Sequence, residues 1–169
     1  KGSRKSFFFT EIKDAADNAV TLSQDKYNVY FGLGLSPKDF APSRCKADDV
    51  IAIPALWMDI DYGPDHEGKK TYFPSKEDIS YFLQDALPAS LQPSLCVHSG
   101  RGIHAYWIFK ELWTLETKKE HDEAAQLVND LQRTLQRHAQ VFGVAIDSSM
   151  DMARVLRVPG TKNHNMDDP

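Results

Sequence analysis

Cysteine is scarce in this chain. There are two in 169 residues, Cys45 and Cys96, 51 positions apart and with no CxxC pairing. That excludes a disulfide framework and a cysteine-based zinc site; it fits a reducing compartment, so a cytoplasmic protein is expected. No apolar run approaches the roughly 20 residues that cross a bilayer, and no membrane partner is expected. The stretch KGSRKSFFFTEIKD opens basic, but FFF is too short for the apolar core of a secretion signal. Internal repeats and low-complexity segments are absent. So is an excess of positive charge: the formal net charge is −4, which argues against a protein that coats duplex DNA with its whole surface. It leaves room for an enzyme that gathers phosphates at one local site, where a few arginines and metal ions supply the charge. No His-hydrophobic-His pair occurs, which sets aside a replication-initiator nuclease built on that pair and a tyrosine nucleophile.

With 41% hydrophobic and 26% charged residues, the composition fits one globular domain over 1–169 with a substantial core. Residues 10–24 have helix-forming composition, with Thr10 as a possible cap. YNVYFGLGL (27–35) reads as a strand running into a glycine turn, and VIAIPALWMDID (50–61) as a strand bent at Pro54. PDHEGKKTYFP after Gly63 reads as a loop. Ser75 caps a helix over SKEDISYFLQDAL, with Asp78 at its third helical position. PSLCVHSG and GIHAYWIF form a strand pair across glycines. Thr117 and Glu120 open a long helix over 117–142, with Ala124, Leu127, Leu131, Leu135, Ala139 and Phe142 on its apolar stripe. GVAIDSSMDMARVLRVPGT gives a short strand, a turn and a strand ending at Pro159. Helices and strands do not alternate regularly, so the fold expected is α+β, with a mainly antiparallel sheet and helices on one side.

Three stretches carry chemistry. In LWMDIDYG, Asp59 and Asp61 stand two apart on a strand and so share a face, with Cα atoms roughly 6.5 to 7 Å apart. Carboxylates so placed raise each other's pKa unless a cation lies between them, and hard oxygen ligands suit Mg²⁺ or Mn²⁺. The plainer reading is a strand end that reaches solvent. In HSGRGIHAYW, Ser99, Gly100 and Gly102 permit a tight turn whose N–H groups can face an anion. Arg101 adds a fork of donors, and His104 begins the next strand. The plainer reading is a glycine-rich β-turn. In AIDSSMDMARVLRVPGTKNHN, Asp147 ends an apolar run and Asp151 follows. Arg154 and Arg157 would share a face only on a helix; on a strand they diverge, leaving one of them structural. The plainer reading here is a surface segment in which Asp151 pairs with Arg154. His66, His121 and His138 read as incidental, and His98, two before the glycine turn, as either backing a site residue or simply exposed. Trp57, Trp107 and Trp113 read as core, and core packing is also the expectation for Tyr30 and Phe31.

Taken in order, WMDID, SGRGIHAYW and AIDSSMDMARVLRVPGT resemble the three motifs of the archaeo-eukaryotic primase (AEP) superfamily, which includes primase-polymerases of plasmids, phages and CRISPR-associated systems. The resemblance spans about 27 to 165. It implies that Asp59, Asp61 and Asp147 hold two divalent ions, Mg²⁺ or Mn²⁺. It also implies that Ser99, Arg101, Gly102 and His104 bind the triphosphate of an incoming NTP or dNTP, flanked by Arg157 and Asn163. Asp151 falls outside the metal set, because the family's acid directly follows the apolar run. The implied fold is an RRM-like catalytic part (51–169) beside a small N-terminal α/β unit (1–50). The implied activity is template-directed nucleotidyl transfer to a 3′-hydroxyl. The partners would be a single-stranded DNA template, a primer, and flanking domains of a larger replication or CRISPR-associated protein. The zinc-binding insertion of many relatives has no counterpart here. The alternative is a catalytically silent RRM-like module that holds nucleotide or single strand for a larger replication protein.

Overall fold

The residues of VIAIPALWMDID fall alternately on two faces, and that alternation organises the molecule. A computed structural model describes residues 4–64 and 68–165. In chain order it contains α1 (Ile12–Gln24), β1 (Tyr30–Gly32), β2 (Ala52–Asp61), α2 (Lys76–Ala86), β3 (Leu95–His98), β4 (Gly102–Thr114), α3 (Lys118–Val141) and β5 (Val155–Arg157), with 3₁₀ turns at Ala47–Asp49 and Ala89–Leu91. One antiparallel sheet has the order β2-β4-β3, and a second, two-stranded one pairs β1 with β5. The class is α+β, as expected.

The register of β2 on β4 sets two faces. Leu56, Met58 and Ile60 lie opposite Trp107, Ala105 and Ile103, and all six are buried. This back face receives α2 through Ile79, Phe82 and Leu83, and α3 through Ala124, Val128, Leu135 and Ala139. Each large apolar side chain so covered contributes about 1.5–3 kcal/mol relative to exposure. The front face carries Trp57, Asp59 and Asp61 opposite Tyr106, His104 and Gly102. Pro54 has no N–H for the ladder, and the register breaks between Ile53 and Ala55, where the bend was expected.

Both helix caps from the sequence are formed. Ser75 Oγ accepts the Asp78 amide at 3.2 Å, and Thr117 and Glu120 make a reciprocal capping box. Trp57 is fully buried and Trp107 nearly so, each with its indole N–H on a backbone carbonyl at 2.7 Å.

Other expectations need correcting. Thr10 does not cap α1: Glu11 holds that position, and no side chain bonds there. The apolar stripe of α3 is turned from the one expected, with Leu127 and Phe142 exposed and Val128 and Gln132 inside. The glutamine tolerates burial because backbone groups satisfy both ends of its amide. No strand forms at 144–147; Ala145 donates to Thr71 O at 2.7 Å, and otherwise side chains hold the segment. Tyr30 and Phe31 are 47% and 37% exposed rather than core, since β1 is a short strand outside the main sheet. The unit expected over 1–50 takes its sheet partner, β5, from the far end of the chain. His121 and His138 do make contacts within the fold, lying 2.8 Å from Ala47 O and 3.0 Å from Asp85 Oδ2, both away from Asp59 and Asp61. His66 lies outside the described residues.

Candidate active site

The front-face end of β2 gathers the acids. Asp59 and Asp61 are both half-buried there. Asp59 Oδ2 accepts from Arg154 Nη2 at 3.1 Å, and its Oδ1 lies 3.5 Å from His104 Nε2. Asp61 has no hydrogen-bond or ion-pair partner among the described residues. Its carboxyl is pushed up to about 6, first by burial and then by the carboxylates of Asp59 and Asp147; Arg154 and Arg101 pull the other way. Asp147 therefore stands close enough for its charge to be felt at Asp61, although 86 positions separate them in sequence. Asp147 itself bonds Lys70 Nζ and accepts from Tyr72 Oη at 3.0 Å.

Asp147 sits on a segment without regular structure, and α3 holds that segment in place. Gln136 Nε2 donates to Ile146 O at 3.1 Å. Gln132 Oε1 accepts from Ser149 N at 2.9 Å, Gln132 Nε2 donates to Trp57 O at 3.0 Å, and Trp57 Nε1 donates to Ser149 O at 2.7 Å. This closed set of buried bonds ties the third acid's segment to the strand that bears the first two. A buried amide left half-satisfied costs about 1–3 kcal/mol, so the arrangement is stiff as well as specific.

Across the strand, His104 is 4% exposed. Its pKa is lowered by burial above all; Asp59 opposes this, and Arg157 and Arg154 reinforce it. A neutral imidazole follows, so the 3.5 Å approach to Asp59 is a polar contact rather than an ion pair. The hydroxyl of Tyr106 lies 3.4 Å from His104 Nδ1, and burial raises its pKa strongly.

The hairpin turn beside the acids is shaped by its glycines. Gly100 takes φ +100°, a left-handed conformation that other residues resist. At Gly102 a Cβ would stand 2.5 Å from Ile60 O and 3.1 Å from Asp61 Oδ1, so any side chain there would push into the strand that carries the acids. Ser99 N donates to Gly102 O at 2.9 Å, and Arg101 is exposed.

The fold thus brings Asp59, Asp61, Asp147, Arg101, Gly102 and His104 to one end of the sheet, with Ser99 in the adjoining turn. Arg157 and Asn163 have other partners. Arg157 is buried and donates to Asn28 Oδ1, Lys162 O and Tyr30 Oη, while Asn163 Oδ1 accepts from Asn165 N. Asp151 pairs with Arg44 and accepts the Ala153 amide. It does not pair with the Arg154 side chain, which goes to Asp59. Sequence reasoning left Arg154, Lys70, Gln132 and Gln136 out of the site. Arg154 was visible as one half of R-x-x-R; the glutamines had no local signal.

The donor set suits a hard divalent cation in its chemistry, because Asp61 has no ion-pair partner among the described residues and feels the carboxylates of Asp59 and Asp147. As the side chains stand, however, Arg154 and Lys70 supply the positive charge. Among the described residues no three His, Cys, Asp or Glu side chains are arranged to hold a metal ion.

An apolar cleft of about 220 Å³ adjoins the acids on the front face, lined by Phe31, Trp57, Val97 and Tyr106 among others. A wider concavity of about 690 Å³ follows the exposed side of α3 from Lys118 to Asp130. Its side chains form i,i+4 ion pairs with one another, the pattern of a solvated helix face.

No protein-family model and no curated protein sequence matches this chain. Among solved structures, the chain is similar to the AEP domain of the cyanophage S-2L primase-polymerase, with a TM-score of 0.57 and 15% sequence identity. The similarity covers 94% of this chain and 72% of that domain. At that identity the likeness is one of fold, and it extends over nearly all of the sequence.

Proposed function

We propose that this chain is the catalytic core of a DNA primase-polymerase, transferring nucleotides from NTP or dNTP to a 3′-hydroxyl under the direction of a single-stranded template. The observation that carries this reading is the convergence of Asp59, Asp61 and Asp147 from two distant parts of the chain. They meet beside a glycine turn and a neutral buried histidine, on a fold similar to an AEP domain. Asp59, Asp61 and Asp147 would hold the divalent ions. When bound, these ions lower the pKa of the attacking hydroxyl and neutralise charge on the phosphates.

The chain's own residues account for the rest. Neutral His104 offers one N–H from a site with almost no solvent, where a hydrogen bond to a phosphate oxygen is strong. Arg101, exposed at the turn, offers a bidentate fork to the same anion. Gly102 keeps the space beside Asp61 open. Arg154 pairs with Asp59 at 3.1 Å and would lend its positive charge to the same end of the sheet.

A second reading, a silent nucleotide- or strand-binding module, draws support from one observation. Arg154 and Lys70 occupy two of the three carboxylates and so could replace metal permanently. Primer extension with labelled nucleotides and Mn²⁺ separates the two. Template-dependent incorporation is expected. Tight nucleotide binding with no incorporation by the wild-type protein would overturn the enzyme reading in favour of the module.

A further inference from the structure

Behind the hairpin turn, Tyr62 and His98 form a stacked, hydrogen-bonded pair. The register places His98 opposite Ile103, on the back face, whereas the charge of Arg101, in the turn, is felt at Asp61 on the front face. Tyr62 directly follows Asp61. Its ring stacks on the His98 ring, with centroids 5.8 Å apart and planes inclined by 10°. The Tyr62 hydroxyl lies 2.7 Å from His98 Nε2 and 3.2 Å from Gly100 O.

A phenol has one proton and a carbonyl can only accept. The hydroxyl therefore donates to Gly100 O, and His98 donates its Nε2–H to the hydroxyl. This fixes the histidine with a proton on Nε2. The Tyr62 backbone N–H also donates to Arg101 O at 2.9 Å. One residue thus holds two successive carbonyls of the turn. The Gly100–Arg101 peptide is trans, since the cis bond described lies at Ala41–Pro42. In a trans peptide the C=O and N–H point in opposite directions. Holding Gly100 O on Tyr62 therefore turns the Arg101 N–H away from the back of the sheet.

We propose that Tyr62, steadied by His98, is a positioning residue for the phosphate site: it orients the Gly100–Arg101 peptide so that the Arg101 amide and guanidinium face the terminal phosphates of the nucleotide. This rests on the function proposed above. Tyr62 also joins the end of the acid-bearing strand to the turn, so the metal-binding and phosphate-binding halves of the site share a single fixed point.

Tyr62→Phe keeps the stacked ring and removes the hydroxyl. With dATP and Mn²⁺ as the probe, calorimetry is expected to show the dissociation constant raised about tenfold, the worth of one well-placed hydrogen bond. In primer extension KM should rise by a similar factor while kcat stays within about twofold, whereas general loosening of the fold would lower both the folded fraction and kcat. His98→Gln keeps an N–H donor and should bind dATP as the wild type does, while His98→Ala should weaken binding about threefold. Equal dATP affinity in wild type and Tyr62→Phe would overturn the positioning role and leave the proposed function standing. Failure of the wild type to bind either dATP or ATP with Mn²⁺ would overturn the proposed function, and this inference with it.

Discussion

The acid end of β2 and the β1–β5 arm lie side by side, and each receives an arginine from the same short stretch, yet the two guanidiniums meet different surroundings. Arg157 is 8% exposed and donates three hydrogen bonds, to Asn28, to Lys162 O and to Tyr30 Oη, and it lies 5.0 Å over the Tyr30 ring. Asn28 in turn accepts the His164 amide and donates to Asn165, so Arg157 welds residues 28–30 to 162–165. Arg154 has a side chain 37% exposed, a single acid partner in Asp59, and a buried Nε with no partner among the described residues. Arg154 has one acid partner and an unpartnered buried Nε beside acidic oxygens, whereas both terminal nitrogens of Arg157 are bound to neutral partners. The same residue type three positions apart thus pairs with an acid in one region and joins chain segments in the other.

Breaking the acid end should show up as chemistry. Asp59→Ala removes one carboxylate from the proposed ion site and is expected to lower primer extension with Mn²⁺ by about three orders of magnitude, several kcal/mol of transition-state stabilisation. The melting temperature should hardly move, because the lost partner, Arg154, is exposed enough to find water. A large fall in melting temperature would mean that Asp59 is a structural ion-pair residue instead.

Breaking the arm should show up as stability. Arg157→Ala is expected to cost about 2–4 kcal/mol in denaturant unfolding, since it strands Asn28 and Lys162 O and opens a gap over Tyr30. The folded protein should keep the wild-type KM for nucleotide. A raised KM at unchanged stability would move Arg157 into the phosphate site.

The smallest effect sharpens the comparison through pH. The folded-state pKa of Asp61 is raised from 3.8 to about 6, so the folded protein binds this proton more tightly than the unfolded chain does. The charged carboxylate therefore opposes folding above about pH 6, and the opposition fades as pH falls towards about 4. Asp61→Asn should raise the melting temperature by a few degrees at pH 8 in the absence of divalent ions, and leave it unchanged at pH 4. An equal rise at both values would rule out charge as the cause.

Local elements were legible where the signal was local. The Ser75 and Thr117 caps, the bend at Pro54 and the β3–β4 hairpin each depend on residues within a few positions of one another. Where packing decides, the reading slipped. Hydrophobicity favours Leu127 over Gln132 for the buried stripe of α3, and the reverse occurs because Gln132 meets two backbone groups that need partners. The strand expected before Asp147 has the right residue types but joins neither edge of the sheet; the α3 amides take Ile146 O and Ser149 N instead. In the site, the acids were legible because D-x-D on a strand can only share a face. Arg154 and Arg157 were legible as a pair that must diverge, but which of them would face the acids was not.

From the sequence alone follow the chemical types at the site, the alternation that presents Asp59 and Asp61 together, and the glycines that shape the turn. These depend on spacing along one strand or one loop, where covalent geometry leaves little choice. Only the tertiary structure decided that Asp147 would meet them, that Gln132 and Gln136 would hold it there, and that Tyr62 and His98 would stand behind the turn. Those pairings join residues many positions apart, and they exist because α3 packs on the back of β2 and leaves its amides facing a backbone with hydrogen bonds still to be made.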